Sequence, residues 1–263
     1  MIAFTGFQMS LVSVGIIEVI AFIAILRIPK QPILKKGKEP VMKSLGEGLK
    51  FVFRSQLILA VLSLDLFAVL FGGAVALLPV YADDILKVGE IGFGWMRAAP
   101  GIGSILTLLL LSFVPLKSNP GIKLLLSIVG FGITTIIFAY SGYFGTNVVA
   151  TLSGFGISWG FIIAFSMLLF GGMFDAVNVA IRHTILQVYT PDSMRGRVAA
   201  VNTMFISSSN ELGAMESGIT AKWMGTVPAV FLGGCLTLVV VVVTYFAAPT
   251  LRTLKLHSDK NKE

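Results

Sequence analysis

Seven stretches of this chain run for about twenty residues with almost no charge, at roughly 6–26, 56–80, 91–114, 122–141, 160–181, 199–221 and 228–248. Hydrocarbon offers the backbone no hydrogen-bond partner, so apolar runs of about 18 residues or more are spanning helices. Only 13% of the residues are charged and the mean hydropathy is +0.90, against about 25% charged in a soluble domain. The sequence therefore predicts an all-α transmembrane protein with seven spanning helices. No basic segment precedes the first run and no small-residue cleavage pattern closes it, so it reads as a span and not as a signal peptide.

The 20 basic residues set the expected orientation. All except Lys87, Arg97 and Lys222 fall in the segment after the first span, in alternate connections, or in the tail. The positive-inside rule places those on the cytoplasmic side, with the amino terminus outside and the carboxy terminus inside. The net charge of +7 is accounted for by topology and attraction to anionic lipid, leaving no basic face for nucleic acid. Four segments follow: a single span over 1–27, a cytoplasmic linker over 28–55, six helices over 56–248 and a cytoplasmic tail over 249–263. An odd span count opening at Met1 suggests a piece of something larger. Within the linker, Ser44 to Arg54 reads as an amphipathic helix. It either lies on the inner lipid surface with Leu45, Leu49 and Val52 downward or stays solvated.

Ionisable residues inside spans are functional candidates by default. Asp65 and Asp175 fall at similar expected depths, on the order of 10–14 Å from the inner edge, in helices that an inverted 3+3 repeat would relate. Asp65 has no cation in its own span, whereas Asp175 has Arg182 two turns along its helix. Glu211 and Glu216 fall on different faces of the 199–221 helix, each expected to be buried. Either of them can instead form a structural pair with Arg97. Gly213, Ser217 and Ala221 have the small-xxx-small spacing that lets a neighbouring helix approach. Asp65, Asp175 and Glu211 are the proton-coupling candidates, Asp65 foremost. A coupling carboxylate must change its proton affinity as water gains or loses access to it. Gly72, Gly73, Pro79 and Pro100 are candidate hinges. In "YTPDSMRGRV", Thr190 is the expected N-cap, with Pro191 and Asp192 in the first turn. Gly196, between Arg195 and Arg197, is expected to admit a close helix.

The runs "SLDLFAVLFGGAVALLPVYADDILKVG", "RAAPGIGS", "DAVNVAIRHTILQVYTPDSMRGRV" and "SNELGAMESG" resemble major facilitator superfamily transporters, in the branch of bacterial siderophore exporters of the enterobactin type. The resemblance runs from Ser44 to Leu256. It implies that 1–27 corresponds to the sixth helix and the next six spans to the carboxy-terminal half, with five earlier helices absent. It further implies that Asp192, Arg195, Gly196 and Arg197 form a cytoplasmic latch. Two departures stand out: Ala214 and Met215 replace an expected acid and phenylalanine, and 142–159 is extra, expected as a Gly-rich outer loop or re-entrant piece.

Other chemistries lack their residues. The two histidines and single cysteine make no metal-ligand pattern, and no cofactor motif or nucleophile elbow is present. An intramembrane enzyme is therefore not expected. The leading expectation is the carboxy-terminal half of a proton-coupled exporter of a small amphiphilic compound, such as a siderophore or drug, in the bacterial inner membrane. Its partners would be the lipid bilayer, protons, the substrate and an amino-terminal half. The alternative is a non-transporting remnant or accessory subunit of a split transporter.

Overall fold

The computed structural model describes residues 2–27, 40–113, 119–145, 147–152 and 155–254. The rest of the expected linker and tail lie outside these. The chain divides into two compact units, Met1–Val41 and Met42–Glu263.

The first unit is built on α1 (Ile2–Leu26). Its described side chains from Leu11 to Leu26 are apolar almost all round and largely exposed, Ile20 at 61% and Leu26 at 68%. A helix without a polar stripe suits hydrocarbon.

The second unit is a helical bundle. It opens with α2 (Val41–Arg54) and passes through Ser55, whose Oγ accepts from the Ile58 N–H at 3.4 Å, into α3 (Gln56–Gly72). Gly73 (ψ 68°) interrupts the helix. The chain continues as a 3₁₀ turn Ala74–Leu77, a short α4 (Leu78–Val80) and a π turn Tyr81–Ile85. Then come α5 (Gly89–Phe113) and α6 (Pro120–Ala139). A 3₁₀ turn over Ser141–Phe144 and an antiparallel pair, β1 (Val148–Leu152) and β2 (Phe155–Ser158), lead into α7 (Trp159–Tyr189). The bundle ends with α8 (Arg195–Met224), a turn at Gly225 (φ 89°), α9 (Thr226–Ala247) and the short α10 (Pro249–Arg252).

Among the described residues, five helical segments are long and apolar enough to cross a membrane: Gln56–Ile85, Gly89–Phe113, Pro120–Ala139, Trp159–Tyr189 and Thr226–Ala247. Of the other two expected spans, α8 falls short of that standard. Helix α8 is long, at 30 residues, but Asn202, Ser207, Ser208, Ser209, Asn210, Glu211 and Glu216 make it polar. For α1 the described apolar stretch is Leu11–Leu26.

Two expectations about local structure need correcting. The 142–159 segment contains a β-hairpin; "VVATL" and "FGIS" are rich in β-branched and aromatic residues, which suit a pleated surface. Thr190 is not an N-cap. It terminates α7, while Met194 precedes the first turn of α8.

Packing depends on close backbone approach, as in lipid, where the hydrophobic effect does not drive helices together. Helix α5 crosses α7 most intimately: a Cβ on Gly103 would stand 2.1 Å from the Leu169 carbonyl oxygen, and one on Gly172 2.1 Å from that of Pro100. Ser104 Oγ donates across this crossing to the Gly172 carbonyl at 3.1 Å. Helix α8 meets α3 through Gly213 and Ser217, as the small-residue spacing predicts; Ser217 Oγ donates to the Gly73 carbonyl at 3.4 Å. Apolar clusters fill the remainder. One joins Tyr81, Met96, Phe138 and Phe161, with the Tyr81 hydroxyl donating to the Ala139 carbonyl at 3.0 Å. A second joins Leu64, Leu124, Ile128, Ile185 and Val241.

Candidate functional site

Three residues of α7, Asp175, Asn178 and Arg182, are spaced to lie on one helical face. The bundle turns that face toward α3. Asp65, on α3, is 4% exposed, as are Asn178 and Arg182. Asn178 Nδ2 donates to Asp65 Oδ1 at 2.6 Å, and Arg182 Nη1 forms an ion pair with Asp65 Oδ2. Both oxygens of the Asp65 carboxylate are thus engaged by α7, the arrangement that lets charge persist away from water.

This corrects the expected electrostatics. Asp65 does have a cation, supplied by another helix, and Arg182 serves Asp65 and not Asp175. The depth argument shifts as well: α7 continues to Tyr189, about two turns past its expected end at 181. The level of Asp65 on α7 is Asn178 and Arg182, with Asp175 further along. Asp175 is half-buried with no ion pair among the described residues, and Asn178 on its own helix interacts with its carboxylate.

A cavity of about 600 Å³ opens beside this cluster. Asp65, Asp175, Arg182 and Arg97 all border it, with hydroxyls and an amide from Ser104, Thr134, Thr135 and Asn210. Elements α3, α5, α6, α7 and α8 each contribute to its wall. The broken segment after α3 contributes too, and the hinge candidates Gly72, Gly73 and Pro100 border the cavity. The chain breaks at Gly73, and Pro79 is the second residue of α4.

Other candidates separate. Arg97 and Glu216 do not pair: Glu216 accepts from Thr220 Oγ1 at 2.8 Å, while Arg97 faces the cavity. Helix α8 is buried on one side, not two. Val198, Val201, Asn202, Ser209, Gly213 and Ser217 are covered, whereas Glu211 is exposed and stands outside the cavity wall. No cluster of three or more His, Cys, Asp or Glu suited to a metal occurs among the described residues.

The latch residues also divide. Asp192 pairs with Arg195 at 3.0 Å on the surface, within the turn. Arg197 reaches back to α2, pairing with Glu47 and donating from Nε to Ser44 Oγ at 3.2 Å. Gly196 faces open space; the close approach is at Gly48, where a Cβ would stand 2.9 Å from the Arg197 carbonyl oxygen. Helix α2 is neither on lipid nor solvated along its apolar face. Val52 is fully buried in a cluster with Ile58, Leu62, Leu186, Val198 and Val201, and Leu45 and Leu49 pack against it. Sequence reasoning overlooked Asn178, Glu47 and the inter-helix partner of Arg182. The i, i+3, i+7 spacing in "DAVNVAIR" was the available signal.

Charged side chains around a cavity within an apolar bundle invite comparison with known proteins. A family model described as transmembrane secretion effector matches residues 1–262. The chain is 25% identical over 237 residues to the enterobactin exporter EntS of Shigella boydii serotype 18 (strain CDC 3083-94 / BS512), covering 90% of this chain and 52% of that protein. It is 24% identical over 237 residues to the EntS of Escherichia coli O1:K1 / APEC, with the same coverage. The chain thus spans about half the length of these curated relatives. No solved structure matches it. With its apolar helices, the match over almost the whole length makes this a multi-pass inner-membrane protein, and the chain belongs to the transmembrane secretion effector family of the major facilitator superfamily.

Proposed function

We propose that this chain acts as the carboxy-terminal half of a proton-coupled exporter of small amphiphilic compounds, working with an amino-terminal half in the same or a separate polypeptide. The observation that carries the reading is a cavity bordered by charged side chains, beside the buried Asp65–Arg182 ion pair, inside a bundle of apolar helices. Maintaining such groups in a membrane is expensive, and transport is the function that uses them. The relatives' name supplies the substrate class to test, a siderophore of the enterobactin kind.

Asp65 is held by Arg182 and Asn178, so the proton carrier is better placed at Asp175. The charged groups around the cavity are Asp65 on α3, Arg97 on α5 and Arg182 on α7; α6 and α8 present Thr134, Thr135 and Asn210. Among the described residues Asp175 is therefore the cavity carboxylate without an ion pair, and it can exchange a proton when water enters. Co-expressed with the amino-terminal half of a relative, the chain should export enterobactin against an imposed proton gradient. Asp175→Asn should abolish uphill export while leaving downhill exchange within about twofold of wild type. Uphill export at wild-type rate in that variant would return the role to Asp65 or Glu211. Absence of export from any combination of halves would refute the exporter reading.

A further inference from the structure

We propose that the groove between α3 and α9 is a binding site for an anionic diacyl phospholipid of the cytoplasmic leaflet. The site goes beyond the exporter reading and does not depend on it. The groove has a volume of about 710 Å³ and shares no lining residue with the cavity at Asp65. Helix α3 presents Gln56, Ala60, Ser63 and Phe67 to it, and α9 presents Val239 and Val243. The small side chains of Ala60 and Ser63 hollow it, while Phe67, Val239 and Val243 are exposed along it.

Polarity is zoned along the groove. Gln56 and Thr250 stand at one end, Phe67 and Val239 at the other. From Gln56 to Phe67 the helix rises roughly 16 Å, about half the hydrocarbon thickness of a bilayer. An apolar groove that opens at the interface and ends near the midplane matches the acyl chains of one leaflet. A helix of that length and about 10 Å across would fill roughly 1,300 Å³, more than the groove holds. Charge selects the headgroup. Arg54 precedes Gln56 by two residues and Arg252 follows Thr250 by two, and neither forms an ion pair among the described residues. The Arg252 guanidinium lies 4.5 Å from the centre of the Tyr245 ring, which restricts it before any lipid arrives. The carboxylates of Glu47 and Asp192, at the same end of the bundle, are taken by Arg197 and Arg195. Arg54 and Arg252 are left to attract a phosphate.

The test uses the full chain in mild detergent, with a phosphatidylglycerol that carries a photoactivatable diazirine at the end of one acyl chain. After illumination, peptide mass spectrometry should find the label on residues 63–67 and 239–243. Unlabelled phosphatidylglycerol should compete roughly thirtyfold better than phosphatidylcholine of the same chains, about fivefold for each arginine. In Arg54→Gln/Arg252→Gln the two competitors should become equal. Ala60→Trp, which fills the groove, should cut labelling of these residues at least tenfold and leave label elsewhere on the chain unchanged. Equal competition in wild type would mean unselective annular lipid. Absence of label from both segments would mean that another helix or a second copy covers the groove. Unchanged labelling in folded Ala60→Trp would put the lipid elsewhere. Each of these results overturns the site. The wild-type competition decides even if a variant fails to fold, and no readout involves export.

Discussion

Asp65 and Arg182 are a buried pair whose two members depend on each other more than the protein depends on the pair. Both are 4% exposed, and removing one strands the other in a low-dielectric interior. Asp65→Ala should therefore cost about 3–5 kcal/mol of stability, read as lost resistance to thermal or chemical unfolding in detergent. Asp65→Asn/Arg182→Gln should recover most of it, since replacing both charges removes the desolvation penalty along with the attraction. A double variant no more stable than Asp65→Ala would show that the pair is net stabilising here. Asp65 could be picked out from the sequence because a charge in an apolar run needs no context to be conspicuous. Its partner could not: Arg182 is 117 positions away, and which helix faces which is not written in either segment. Asp175 was legible for the same reason as Asp65, and that no described cation pairs with it was not.

At the scale of elements, α2 shows how an amphipathic pattern underdetermines its environment. Leu45, Leu49 and Val52 were readable as one apolar face, but lipid and protein are equally acceptable to such a face. The decision came from Gly48, whose missing side chain lets the backbone of Arg197 approach, and from the buried surface supplied by α3, α7 and α8. Two substitutions separate packing from charge. Gly48→Leu should push α2 off the bundle, at roughly 1–3 kcal/mol, and speed amide exchange over residues 41–54. Glu47→Gln should change little, because the Glu47 side chain is 38% exposed and such pairs contribute about 0–1 kcal/mol. Equal acceleration in both would make the ion pair, and not the close packing, the main attachment. The β-hairpin before α7 was missed for a related reason: its glycines were more conspicuous than the β-branched residues between them. Conversely, most helix ends were placed within a few residues, since apolar length is a local property; the exceptions are α7, which runs on to Tyr189, and the helix from Gln56, which breaks at Gly73.

For the molecule as a whole, the described connections alternate between the two ends of the bundle. The starts of α3, α6 and α8 and the ends of α7 and α9 share one end, tied together by the docking of α2 and by α10 against α3 and α6. That end carries Lys43, Lys50, Arg54, Lys123, Arg195, Arg197 and Arg252. By the positive-inside rule it should face the cytoplasm. In a Cys235→Ser background, Thr253→Cys should be labelled by a membrane-impermeant thiol reagent only after the membrane is opened, and Lys87→Cys in intact cells. Labelling of Thr253→Cys from outside would reverse the topology. The sequence by itself determined that the chain lies in a membrane, where its helices run, which charges are out of place and which family it resembles. Each of these rests on runs of neighbouring residues and on the cost of placing polar groups in hydrocarbon. Only the tertiary structure decided that Arg182 belongs to Asp65, that Asp175 has no ion pair among the described residues, and that α2 docks on the bundle. Those outcomes depend on how closely particular helices approach, which small residues at distant positions permit and no single segment encodes.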